Sequence, residues 1–334
     1  MHDLLQLLRR PKTQPGGYLL IKRWGAGFWS DVDMVVTHLL AADLMKRTPV
    51  VHWGTEGPYA NGKSETFELY FEPVSDVSAQ ELTGSIYPHD WTVETLLDEL
   101  PFPHTGEIDP KYGRYHLCSE KRAIPKPDRR FSYLRRRRED IVVAFCWEYV
   151  ERIFATTGRR GASLQDLRRE MMRDRLVLRP ELRAQIDAYF EANLADRPTL
   201  GVHLRGSDKI TENPQLHTQN EAAFELSKEW IAKDPANQIF LASDTDTYVA
   251  RWQEAFGTER IKLQDCLRND GDTPNFLRED ADGYRMGCEV ILDTYIAARC
   301  QRFIGNSTSN VAAYAAAIGQ YNPDKVFWVD KPNG

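Results

Sequence analysis

From Thr199 onwards the chain alternates short apolar runs with longer amphipathic ones, and this alternation constrains the fold more than any other feature. The order reads strand (Thr199 to Leu204), helix (Glu221 to Lys233), strand (Gln238 to Ala242), helix (Thr245 to Phe256) and strand (Arg260 to Leu263). After a variable stretch come helix (Cys288 to Arg299), strand (Arg302 to Ile304), helix (Ser309 to Ile318) and strand (Lys325 to Val329). Parallel strands need a long crossover, usually a helix, so regular alternation predicts a doubly wound parallel sheet. In an open sheet of this kind, ligands collect beyond the carboxyl ends of the strands. Function should therefore be legible in the residues that follow each strand.

Three of these ends are unusually polar. The first is His203-Leu204-Arg205-Gly206-Ser207-Asp208-Lys209, where a guanidinium and an ammonium together suit an anion, phosphate above all. The second is Ser243-Asp244-Thr245-Asp246. Asp244 reads equally well as a helix cap or as a carboxylate that accepts from a nucleobase edge or a sugar hydroxyl. The third is Asn306-Ser307-Thr308-Ser309-Asn310, opening a helix. One such residue suffices for a cap. Five in a row favour an anion cradle of backbone N–H groups, to which the helix dipole adds.

The first half is less regular. Gly17 to Lys22 reads as a strand, followed by a glycine loop (Trp24 to Ser30, with Gly25, Phe28 and Trp29). Ser30 or Asp31 is then placed to cap a helix to about Lys46, and Pro49 to Trp53 forms the next strand, which completes a βαβ unit. Gly54 to about Arg130 is rich in proline and glycine, the character of a binding excursion. The run Arg135 to Arg138 reads as a solvated face ahead of a helical segment from Ile141 to Phe154. A helix follows from Pro180 to about Leu194, and Ala195-Asp196-Arg197-Pro198 ends it. The division expected from this is residues 1–195 as one α/β domain with a loop-rich insertion, and 196–334 as a second, Rossmann-like domain.

At 334 residues the chain is long enough for two cores. A net charge of −6 argues against a nucleic-acid partner or a whole-molecule attraction to anionic membrane, so an anion site must be local. No apolar run approaches the ~20 residues that cross a bilayer. With Arg9 and Arg10 after the first leucines instead of before them, a secretory leader is not expected, and the default location is cytoplasmic. Five scattered cysteines without a Cys-x-x-Cys pair read as free thiols.

In this order the elements resemble the fucosyltransferase superfamily that includes the core α1,6-fucosyltransferases and the rhizobial nodulation fucosyltransferases. The resemblance rests on Leu178-Arg179-Pro180, Gly201 to Lys209, Phe240 to Asp244, and Ile291-Leu292-Asp293 leading to Phe303 to Asn310, and it covers about Leu176 to Ile318. It implies a GT-B fold, two Rossmann-like domains facing each other across a cleft. It also implies metal-independent use of GDP-fucose with inversion at the anomeric carbon, and a glycan or glycoconjugate acceptor. Arg205 would hold the diphosphate and stabilise the leaving GDP, His203 would contact the nucleotide, and Lys209 would lie near the phosphates or the reacting centre. Asp244, beside Ser243, would recognise the guanosine part, and Ser307, Thr308 and Ser309 would cradle phosphate next to Asn306. Two departures stand out. Core α1,6 enzymes carry a second arginine where this chain has Gly206, which leaves the linkage open. Their catalytic glutamate lies near the position of Glu212, with a spacing that differs by one residue.

Residue chemistry reaches a similar mechanism. Fixed charges at Arg205 and Lys209 act where negative charge develops on a departing diphosphate, so no metal is required. Asp244-Thr245-Asp246 has the spacing of a metal clamp but reads more simply as cap and first-turn charge. Inversion needs one base, for which Glu212 is the first choice and Asp208 the second. Two alternatives remain: another GDP-sugar as donor, or a nucleotide-sugar-binding protein without transfer activity.

Overall fold

The structure is a computed structural model and describes residues 16–23, 27–89, 91–98, 134–144, 154, 161–206, 213–269, 275 and 281–331. The chain divides into two compact units, Met1–Leu178 and Arg179–Gly334.

The first unit is built on the predicted βαβ core. Strand β1 (Tyr18–Lys22) leads to helix α1 (Phe28–Met45) and strand β2 (Thr48–His52), and β3 (Ile86–Tyr87) and β4 (Ile141–Ala144) complete a sheet ordered β2-β1-β4-β3. All of its pairings are parallel. Leu19, Leu20 and Ile21 are fully buried, as a continuous apolar run covered on both faces must be. Helix α1 starts ahead of the expected cap at Ser30 or Asp31. Its N-cap is Gly27, and the Phe28 N–H donates to Tyr59 Oη at 3.0 Å, so a tyrosine satisfies one of the orphan donors of the first turn. Helix α2 (Leu164–Asp174), which the sequence reading did not resolve, is tied to α1 by a buried bidentate pair: Arg168 Nε and Nη2 donate to the Asp33 carboxylate at 2.8 and 2.5 Å.

Ile141–Ala144 corrects an expectation. The segment read as the start of a helix is a strand beside β1 at the centre of the sheet. A short buried run such as Ile141-Val142-Val143 carries no periodicity to separate the two forms, and its β-branched content was the better guide.

The second unit follows the predicted alternation. Strands β5 (Thr199–Leu204), β6 (Gln238–Ser243), β7 (Ile261–Lys262), β8 (Arg302–Gly305) and β9 (Val326–Trp328) form one sheet ordered β7-β6-β5-β8-β9, parallel throughout. Four helices connect or flank them: α3 (Pro180–Asn193), α4 (Gln215–Lys233), α5 (Asp246–Phe256) and α6 (Gly283–Ala298), and α7 (Asn310–Ile318) follows β8. One sheet face (Leu200, Val202, Leu204, Ile239, Leu241, Ile304) packs against Ala223 and Phe224 of α4 and Val249, Trp252 and Phe256 of α5. On the other face α6 approaches closely. A Cβ at Gly201 would lie 3.1 Å from the Ala297 carbonyl, and this contact explains the glycine in mid-strand.

Two boundaries moved. Helix α4 begins before the expected Glu221, right after Pro214, and α6 begins before Cys288, with Asp282 accepting from the Arg285 N–H at 3.0 Å. Helix α3, expected in the first domain, belongs to the second unit. Asp187 accepts from Arg299 at 2.6 Å, and the Tyr189 ring meets Phe240 at 5.8 Å. The division therefore falls between Leu178 and Arg179 instead of at 195/196.

Candidate functional site

In the second unit the chain builds outward from β5 through β6 to β7, then crosses back to β8 and β9 on the other side of β5. The order reverses between β5 and β8, and a crevice opens beyond the carboxyl ends of strands at such a switch point. Arg205 follows β5, Asp244 follows β6 and Asn306 follows β8, so all three polar ends lie along this edge.

The first two ends are bonded to each other. Arg205 Nη1 donates to Asp244 Oδ2 at 2.6 Å, and the Gly206 N–H donates to Asp244 Oδ1 at 2.8 Å. One carboxylate thus fixes both the guanidinium and the backbone that follows it. The guanidinium side chain is 29% exposed against 14% for Asp244, so the pair is open to solvent on the arginine side. Gly206 is packed tightly: an added Cβ would lie 2.6 Å from Thr245 Cγ2 and 3.0 Å from Tyr248 Cε2. Asp244, expected at a nucleobase, holds Arg205 in this state.

His203 is buried at the end of β5, on the α6 face, and its Nδ1 has no hydrogen-bond partner among the described residues. Burial lowers its pKa to about 4, against the opposing pull of Asp244, and Arg205 acts in the same direction as burial. The ring is neutral near pH 7. Ser243 is spent locally, since its Oγ lies 3.3 Å from Thr245 Oγ1 and accepts from the Thr245 N–H at 3.3 Å.

The run after β8 separates into two parts. Asn306 Oδ1 accepts from the Thr308 N–H at 2.8 Å and from Thr308 Oγ1 at 2.6 Å, while its Nδ2 donates to Gln219 Oε1 at 2.6 Å. Ser307 donates through N–H and Oγ to the Asp330 carboxylate at 2.6 and 2.5 Å. Asn306 and Ser307 thus set the turn. Thr308 is exposed, and Ser309 is the N-cap of α7 with no side-chain capping bond. Asp330 was not singled out in the sequence, and neither were Gln219 and Asn220 of α4, whose contacts depend on tertiary structure. Asn220 Nδ2 donates to the Arg205 carbonyl at 3.0 Å.

Asp293, quoted above as part of a motif, carries a carboxyl pushed up to about 7 by burial, against the pull of Arg268 and with a push from Glu289. It lies on α6 one turn before Ala297, toward the carboxyl edge of the sheet. In the first unit, Phe28 and Trp29 are core residues. The Phe28 ring meets Trp29, Tyr59 and Tyr70 edge-on at 5.3, 5.3 and 5.0 Å. Gly25, Asp208, Lys209 and Glu212 lie outside the described residues. Among the described residues no group of three His, Cys, Asp or Glu side chains is placed to hold a metal, and no helix is long and apolar enough to cross a membrane.

Solved fucosyltransferase structures share this α/β fold with parallel sheets. The chain is similar to NodZ α-1,6-fucosyltransferase soaked with GDP-fucose, with a TM-score of 0.57 at 18% identity over 90% of this chain and 92% of that one. It is similar to a mutant of Arabidopsis thaliana FUT1 in complex with GDP, at 0.54 and 12% over 95% and 72%. It is also similar to POFUT1 in complex with GDP, at 0.53 and 15% over 95% and 99%. No protein-family model and no curated protein matches the sequence.

Proposed function

We propose that the chain is an inverting, metal-independent glycosyltransferase of GT-B type that moves fucose from GDP-fucose to a hydroxyl of a glycan or glycoconjugate. In this reading the second unit binds the donor and the first serves the acceptor. The carrying observation is the meeting of three strand ends at the switch point, with Arg205 anchored by Asp244 and the Thr308–Ser309 turn beside it. Structural neighbours whose crystals were soaked with GDP-fucose or contain GDP support the donor class.

Breaking the anomeric C–O bond leaves negative charge on the diphosphate. Arg205 supplies a fixed positive group there, and the hydroxyls and N–H groups at the start of α7 add donors, all in place before charge develops. The neutral His203 offers its buried nitrogen to the nucleotide. Lys209 adds a second cation, and Glu212, or else Asp208, takes the proton of the attacking hydroxyl.

The test measures GDP release from GDP-fucose and from GDP-mannose, separately, across a panel of glycan acceptors, with and without EDTA. The expected result is GDP-fucose-dependent transfer that survives EDTA, and an Arg205→Ala variant with GDP affinity about 10- to 100-fold weaker, as the loss of a charge-assisted phosphate contact demands. Turnover with GDP-mannose alone would replace the donor. GDP binding without turnover of either sugar would leave a binding protein, and Arg205→Ala kinetics equal to wild type would remove the site.

A further inference from the structure

Two adjacent side chains of α4 reach two different strand ends, and no part of the reaction outlined above accounts for them. Asn220, 6% exposed, donates through Nδ2 to the main-chain carbonyl of Arg205 at 3.0 Å. Gln219 accepts through Oε1 from Asn306 Nδ2 at 2.6 Å. The amide orientations are dictated by neighbours. A carbonyl only accepts, so Asn220 must present its NH2 group. Asn306 spends its oxygen on Thr308, so its NH2 must face Gln219, which must present oxygen.

We infer that Gln219 and Asn220 are a positioning pair that fixes the separation of the Arg205 loop and the Asn306–Ser309 turn, and with it the span offered to the diphosphate of a bound nucleotide. The inference rests on the donor reading above. Successive residues on a helix point about 100° apart, so two neighbours on one turn diverge to the ends of β5 and β8, which flank the switch point. Arg205 is then held at both ends, its carbonyl by Asn220 and its guanidinium by Asp244. The Asn306 link passes on to Thr308 through both its N–H and its hydroxyl. Both members of the pair are neutral amides, which join the loops without placing a further charge beside an anion.

The experiment compares GDP and guanosine, which lacks phosphates, as ligands for the wild-type chain and for Asn220→Ala, Gln219→Ala and the near-isosteric Asn220→Asp. Calorimetry serves for GDP and ligand-observed NMR for guanosine. Each variant should bind GDP about tenfold more weakly, the worth of one hydrogen bond, with guanosine affinity unchanged. Asn220→Asp should bind GDP at least as weakly as Asn220→Ala, because a carboxylate cannot donate to the Arg205 carbonyl and adds a negative charge beside the diphosphate. Wild-type chain that binds neither ligand would overturn the donor reading itself. If wild type binds GDP, variants with unaltered GDP affinity, or with GDP and guanosine weakened alike, would overturn only the positioning role.

Discussion

Gly206 offers a direct measure of how tightly the arginine loop is packed. A Cβ built there lies 2.6 Å from Thr245 Cγ2, 3.0 Å from Thr245 Oγ1 and 3.0 Å from Tyr248 Cε2, all inside normal contact distance. Thr245 cannot easily step aside. It is 4% exposed, it is the N-cap residue of α5, and its hydroxyl lies against Ser243 Oγ at 3.3 Å. Gly206→Ala must therefore shift either the α5 start or the loop whose N–H holds Asp244. Overpacking of this kind costs about 1–3 kcal/mol. In a unit the size of Arg179–Gly334 that lowers the melting temperature by about 2–4 °C per kcal/mol. Thr245→Ser removes the methyl at 2.6 Å, so the double variant should be at least about 1 kcal/mol more stable than the sum of the two single changes. Urea unfolding of the four proteins closes the cycle. An alanine variant as stable as wild type, or purely additive changes, would refute the packing argument. The same contacts leave no room for a larger side chain at position 206.

Two titrations follow with opposite signs. His203 has a folded pKa of about 4 against an ordinary 6.5, so between those values the unfolded chain holds the extra proton and stability falls as pH falls. His203→Gln should flatten that acid-side slope by up to about 3 kcal/mol in urea titrations at pH 7 and pH 4, and an unchanged slope would contradict a buried neutral ring. Asp293 is raised from 3.8 to about 7, so the folded chain holds the proton and stability falls as pH rises through that window. Asp293→Asn should abolish this loss, and a pH profile identical to wild type between pH 5 and 8 would show that the carboxyl is not buried as described.

The second unit was legible because its strands are bounded runs separated by long helices, and because polar clusters mark where each strand ends. Thr199 to Leu204 is the clearest case, a run whose six residues are all buried. The first unit resisted for physical reasons. Ile141-Val142-Val143 is too short to show a period, and the two-residue β3 carries almost no local signal. Phe28 and Trp29, beside glycines, looked like parts of a ligand loop and are buried in the core. At the candidate site, composition marked the polar strand ends but not how they are joined. Asp244 is spoken for by Arg205, Ser307 by Asp330, and the amides of Gln219 and Asn220 gain meaning only once α4 folds back over the sheet.

The Asp330–Ser307 contact bears on the thermodynamics of association. A carboxylate from beyond β9 satisfies Ser307, and Asn306 satisfies Thr308, so the turn before α7 is braced by the chain's own side chains. A ligand arriving there meets a rigid host and loses little affinity to freezing the loop, the usual entropic toll on recognition by flexible segments.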